Sequence, residues 1–237
     1  MARTAIWQSI AETLSGEIAA GHYPPGAKLP TEAALAARFG VNRHTVRHAL
    51  SALAERGLVL ARRGAGVFVT GQAVDYPIGR RVRFHQNLAA AGQMAAKRIL
   101  RLETRPADAR EAEALVLEPG TPVHVYEGVS LADETPLALF RSVFPAARFP
   151  DLLAHLEASR SVTEALTRSG LADYIRAETR VTAKLASATQ ALQLRIPAGA
   201  PLLRTVGLNT DPEGRPVEYG TTWFAGDRVT LTVTPEG

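Results

Sequence analysis

Apolar residues recur every four positions near the start of the chain, at Ile6, Ile10, Leu14 and Ile18. That spacing puts them on one stripe of a helix, which Gly21 and the run Tyr23-Pro24-Pro25-Gly26 then end. A shorter helix is expected after Thr31, a good N-cap, with Leu35 and Phe39 on one face. Gly40-Val41-Asn42 reads as a tight turn, Gly40 stopping one helix and Asn42 capping the next. The third helix, about 43–56, buries Val46, Ala49, Leu50 and Leu53 and leaves Arg43, His44, Thr45, Arg47 and His48 largely outward. Two helices across a short glycine turn describe a helix-turn-helix, whose second helix meets base edges with its N-terminal end. After Gly57, the runs Leu58-Val59-Leu60-Ala61 and Val67-Phe68-Val69-Thr70 flank Arg62-Arg63-Gly64-Ala65-Gly66. Two strands around a glycine-rich, doubly basic tip predict a hairpin wing.

The pattern breaks at residues 71–80, which read as a linker, and Phe84, Leu88 and Met94 suggest an amphipathic segment behind it. An internal repeat follows. One copy runs Pro119-Gly120-Thr121-Pro122, Asp133, Pro136-Leu137-Ala138 and Phe144; the other runs Pro197-Ala198-Gly199-Ala200-Pro201, Asp211, Pro216-Val217-Glu218 and Phe224. Each copy follows a short helical stretch, 108–117 or 186–194, and then reads strand, turn, strand. Two helix-plus-hairpin units pairing into one antiparallel sheet make an α+β domain. Helices at 149–157 and 162–169 and a strand near 174–185 are expected between the copies. The predicted organisation is a winged helix-turn-helix at 1–70, a linker at 71–80 and an α+β antiparallel-sheet domain at 81–237.

Charge sharpens this division. Residues 1–83 carry 11 Lys+Arg against 5 Asp+Glu, whereas residues 84–237 carry 16 against 18. The basic excess lies wholly in the first third, where a polyanion would bind. The chain has no cysteine, which excludes disulfides, thiolate catalysis and Cys-ligated metal sites. No apolar run approaches a membrane span, and residues 1–20 mix acids into their apolar positions, unlike a secretory signal. A cytoplasmic protein without a membrane partner is expected.

The run Leu29-Pro30-Thr31-Glu32, Leu35-Ala36, Gly40 to Leu50, Leu53, Gly57, Arg62-Arg63-Gly64 and Gly66-Val67-Phe68-Val69 resembles the GntR family of bacterial regulators. The resemblance implies a winged helix used by a homodimer on an inverted-repeat operator in double-stranded DNA. Thr31, Arg43, His44, Thr45, Arg47, Arg62, Arg63 and Gly66 are then the candidate DNA-binding residues. The second half resembles the UTRA effector domain of the HutC subfamily, which is similar in fold to chorismate lyase. Within that subfamily, Asn42-Arg43-His44-Thr45, Asp75-Tyr76-Pro77 and Arg83 to Leu88 look most like PhnF-type regulators of phosphonate utilisation. The implied function is a metabolite-responsive repressor, not an enzyme, that takes no cofactor.

Ser161-Val162-Thr163-Glu164 reads as a capping box, with Ser161 as N-cap and Glu164 three residues on. The resemblance puts an anion there, on backbone groups at Ser161 and Thr163, and makes Glu218 and Phe224 ligand-lining. Two arginines and a glutamate that bind sugar phosphates in relatives are replaced by Gly128, Ser130 and Phe140, so a different anionic metabolite, phosphorylated or a phosphonate, is implied. Arg141 is a candidate to supply the missing positive charge, although strand alternation leaves its face open. The candidate effector residues are Ser130, Arg141, Ser161, Thr163, Glu218 and Phe224. Two other classes stay open: a DNA binder without a ligand, and a regulator with residual lyase activity. A pyridoxal-phosphate enzyme fits poorly, since only Lys97 and Lys184 lie behind the linker to form a Schiff base.

Overall fold

The computed structural model describes residues 5–24, 26–62, 64–70, 73–79, 95–132 and 134–233, and the chain divides into two units, Met1–Ala73 and Val74–Gly237. In the first unit α1 (Ile6–Ala19), α2 (Glu32–Phe39) and α3 (Arg43–Glu55) precede the hairpin β1 (Val59–Arg62) and β2 (Gly66–Val69). Thr31 Oγ1 accepts the Ala34 amide to open α2. Gly40 stops that helix at φ 64°, a left-handed conformation that costs glycine least. Asn42 Oδ1 accepts the Thr45 amide to open α3. Ile10, Leu14, Leu35, Val46, Leu50, Leu53, Val59 and Val69 form one buried core. Residues 27–29 add a third edge to the wing through Leu29 N–H to Val67 O and Val69 N–H to Ala27 O, both 2.8 Å.

In the second unit ten-residue and longer strands dominate. They are β4 (Ala95–Pro106), β5 (Pro122–Ala132), β6 (Thr135–Pro145), β7 (Ile175–Leu185), β8 (Pro201–Thr210) and β9 (Pro216–Ala225). They form a six-stranded antiparallel sheet in the order β4-β5-β6-β9-β8-β7. Helices α4 (Ala109–Leu115), α5 (Leu152–Ser159), α6 (Val162–Arg168) and α7 (Ala188–Leu194) complete it. The duplicated pattern becomes two copies of strand–helix–strand–strand, β4-α4-β5-β6 and β7-α7-β8-β9. They meet at the central β6–β9 pair, where Arg141 faces Thr221. The turn of the second hairpin is fixed by Asp211, which is buried and accepts from the Arg215 amide (2.8 Å) and from the guanidinium groups of Arg148 (2.5 Å) and Arg215 (2.8 Å). Asp133, its counterpart in the first copy, lies outside the described residues.

Two features depart from expectation. Residues 74–77, placed within a linker, form β3 (Val74–Pro77), paired in parallel with β10 (Val229–Thr232). Val74 and Tyr76 turn inward while Asp75 and Pro77 turn out, a strand alternation that the turn-rich composition conceals. Strand β4 was not foreseen at all. It is an outer strand of the sheet, and its four basic residues obscure its period. The amphipathic segment expected over Phe84, Leu88 and Met94, with Arg80, Arg81 and Arg83, lies outside the described residues.

Candidate DNA-contacting surface and effector cavity

At the start of α3 the cap decides which side chains are free. Thr45 donates both its amide (2.9 Å) and its hydroxyl (3.0 Å) to Asn42 Oδ1, so its acceptor lone pairs are what it still offers outward. Arg43 and His44 are exposed, and Arg43 has no side-chain hydrogen bond or ion pair among the described residues. Arg47 differs. Its guanidinium grips Glu32 in a two-point pair, Nε to Oε1 at 3.0 Å and Nη2 to Oε2 at 2.8 Å, joining α3 to α2. That pair holds the Glu32 carboxyl below the usual carboxylate range. His48 is exposed, as expected, and its ring stacks on Trp7 of α1 with ring centroids 4.2 Å apart. In the wing, Gly66 adopts φ 113° and lies where any Cβ would sit 2.7 Å from Lys28 Cε. Arg63 and the side chain of Arg62 lie outside the described residues.

In the second unit a cavity of about 320 Å³ opens on one face of the sheet. Its lining includes Ser130, Ser161, Thr163, Glu218 and Phe224, so five of the six effector residues read from the sequence meet at one place. The sixth does not join them. Phe140 and Ser142 face the cavity, so Arg141 between them faces away; it is exposed and bound to Glu127, Nε to Oε1 at 2.5 Å. The capping box is also only half formed. Ser161 Oγ accepts the Glu164 amide (3.3 Å), but the Ser161 amide donates to Ser159 Oγ (3.2 Å) and Glu164 pairs with Arg168 (2.6 Å).

The cavity's cations are residues that the sequence did not mark. Lys97 reaches in from β4 and Arg176 from β7. The Lys97 ammonium lies 5.0 Å from the centroid of the Phe140 ring and 5.7 Å from that of Tyr126, within cation–π range. Burial pulls its pKa down to about 8, against the opposing pull of the Glu218 carboxylate. Arg176 donates through Nε to Asn209 Oδ1 (2.7 Å), and Asn209 Nδ2 donates to Glu218 Oε2 (2.6 Å). Ser142 Oγ donates to Glu218 Oε1 (2.5 Å). The guanidinium can only donate and the carboxylate only accept, so this chain fixes the orientation of the Asn209 amide. Tyr76, whose hydroxyl burial holds well above the usual range, closes another side near Phe224, their ring centroids 5.1 Å apart. Two cations, two carboxylates already engaged by protein donors (Glu218 by Ser142 and Asn209, Glu164 by Arg168) and several hydroxyls over aromatic walls have the chemistry to take a small polar anion. Among the described residues no cluster of His, Cys, Asp or Glu is placed to hold a metal ion, and no helix is long and apolar enough to cross a membrane.

Comparison with known proteins agrees with both halves. Residues 7–69 match the model of the bacterial regulatory proteins of the gntR family, and residues 90–230 match the UTRA domain. An uncharacterised HTH-type transcriptional regulator of Rhizobium meliloti is 42% identical over 97% of this chain and 94% of its own length. The probable transcriptional regulator PhnF of Escherichia coli is 34% identical over 96% and 94%. The crystal structure of PhnF from Mycobacterium smegmatis shares the fold, with TM-score 0.66 at 24% identity, covering 98% of this chain and all of that one. This chain therefore belongs to the gntR family of bacterial regulatory proteins, as a DNA-binding transcriptional regulator with a UTRA domain and not an enzyme.

Proposed function

We propose that the protein is a repressor that binds an inverted-repeat operator as a homodimer and is released by a small anionic metabolite held in the UTRA cavity. The observation that carries this reading is the pair Lys97 and Arg176, two cations opening on one cavity in a regulator's effector domain. Lys97 is half-buried, and the desolvation that lowers its pKa is a cost that an incoming anion would offset. A ligand-independent DNA binder would have no use for that arrangement. The resemblance to PhnF-type regulators supports a phosphorylated or phosphonate ligand in a catabolic or phosphonate-related operon. On the DNA side, Arg43 and Thr45 are the proposed base readers, with Arg62 or Arg63 in or beside the minor groove and Thr31, His44 and Gly66 as further DNA contacts. Arg47 joins them only by leaving Glu32. A dimer is needed because one winged helix covers too few base pairs for a selective operator. The outer edge of β7, which pairs with no described strand and exposes Val181 and Leu185, suits pairing with a second copy. Footprinting on the DNA upstream of the protein's own gene tests this reading. Two protected half-sites about 34 Å apart are expected, and a small phosphonate such as 3-phosphonopropanoate should remove them. A single half-site, or protection that no anion alters, would contradict it.

The Lys97 environment gives a pH signature. An anion bound beside Lys97 raises its pKa, so the bound form holds its proton to higher pH than the free form, whose pKa is about 8. Affinity for an anionic probe should be flat well below pH 8 and fall as pH rises through it, by up to about tenfold per unit. Other ionisable groups facing the cavity are Tyr76, Glu164, Tyr174, Arg176 and Glu218. Tyr76 stays protonated over this range. Calorimetry in buffers of different ionisation enthalpy should show proton uptake near pH 8 that Lys97→Met abolishes. Uptake that survives the substitution would assign it to another group.

A further inference from the structure

The two cations occupy equivalent places in the two halves of the duplicated sheet, and this bears on what the ligand must carry at its ends. Lys97 sits on β4 opposite Ser130 of β5; Arg176 sits on β7 opposite Asn209 of β8. Two residues before each partner, on the same face, stands a glycine: Gly128 in one copy and Gly207 in the other. A Cβ on Gly128 would lie 2.7 and 2.9 Å from the Phe140 ring, the ring beneath the Lys97 ammonium. A Cβ on Gly207 would run into the Arg176 guanidinium itself. Each copy has thus cleared the floor of the sheet to lay one cation into the shared cavity. β4 and β7 are the outermost described strands of that sheet, so the cations enter from opposite sides. The two oxygens of Glu218 accept from Ser142 and Asn209.

From this juxtaposition we infer that the effector is a short difunctional acid, one anionic group held by Lys97 and the other by Arg176. A dicarboxylate or a phosphonocarboxylate of a few carbons is the class that fits. The cavity, about 320 Å³, is at the small end of ligand sites, so the spacer between the two groups is short. The hydroxyls of Ser130 and Thr163 add donors to the two groups. Phe140 and Phe224 add apolar walls to the cavity, against which an alkyl spacer loses no hydrogen bond. This inference rests on the cavity being the effector site.

Calorimetric titration of the full chain at fixed ionic strength tests it, with phosphonoacetate, 3-phosphonopropanoate, succinate and glutarate against methylphosphonate, butyrate and orthophosphate. At least one difunctional probe should bind about tenfold or more tighter than the monofunctional probe with the same head group, as one added charge-assisted contact supplies. Lys97→Met and Arg176→Met should each bring that ratio close to one. Arg176→Lys, which keeps the charge and disturbs the Asn209–Glu218 chain less, should retain part of the advantage and guards against a folding artefact. Monofunctional probes that bind equally well, or an advantage that survives both Met substitutions, would overturn the two-anion inference and leave the cavity an effector site for a single anion. Failure of every probe to bind would overturn that reading as well.

Discussion

Arg43→Ala is expected to weaken binding to the specific operator by about 1–3 kcal/mol, the usual worth of one bidentate arginine–guanine contact. Affinity for random duplex should change little. The expectation follows from how the helix is built. Asn42 closes the N-terminus of α3 on the Thr45 amide, which presents Arg43 as the first helical residue, exposed and without a side-chain partner among the described residues. Nothing within the fold has to be broken for it to reach a base. Arg47 must first give up its two-point pair with Glu32, so Arg47→Ala should cost less specificity than Arg43→Ala. Fluorescence anisotropy on operator and random duplexes at one salt concentration separates the cases. An equal loss on both would make Arg43 a phosphate contact.

Gly207→Val is expected to reduce affinity for 3-phosphonopropanoate by tenfold to about a hundredfold, the worth of a charge-assisted hydrogen-bonded contact, while operator binding by the free protein is unchanged. The backbone at Gly207 does not adopt a positive φ, so valine meets no conformational barrier there. What it meets is the Arg176 guanidinium, which must swing off β8 and leave Asn209. Asn209 would lose the donor to its carbonyl, and the hold on Glu218 would loosen with it. A circular dichroism melt on the same variant checks that the sheet persists. Unchanged probe affinity in a folded variant would remove Arg176 from the ligand site.

The sequence was most informative where structure is set by neighbours. Thr31, Gly40 and Asn42 act on residues within a turn of themselves, so the helix-turn-helix could be read from spacing alone. The duplicated hairpins were visible for a similar reason, since proline and aspartate mark their turns locally. What stayed hidden depends on distant partners. Lys97 and Arg98 are adjacent on β4, and only pairing with β5 decides that Lys97 is the one turned into the cavity. Arg141 and Ser142 pose the same two-way choice, and Ser142 turns inward, where its hydroxyl meets a glutamate 76 residues away. The half-formed capping box at Ser161 has a local competitor that the motif ignores, the hydroxyl of Ser159. The strongest available hint of the cations lay in composition: lysine is rare in an arginine-rich chain, and one of its few lysines stands amid the alternation of an outer strand.

Release of DNA by the ligand requires that the ligand favour a state in which the two winged helices no longer match half-sites about 34 Å apart. Thermodynamic linkage makes this coupling reciprocal: operator must weaken ligand binding by the factor by which ligand weakens operator binding. Titration of the full chain with 3-phosphonopropanoate, free and saturated with operator duplex, measures that factor directly. The repressor account predicts weaker binding to the operator complex, by the same ratio seen when the probe displaces DNA. Equal affinity in the two titrations would contradict it, however tightly the probe binds.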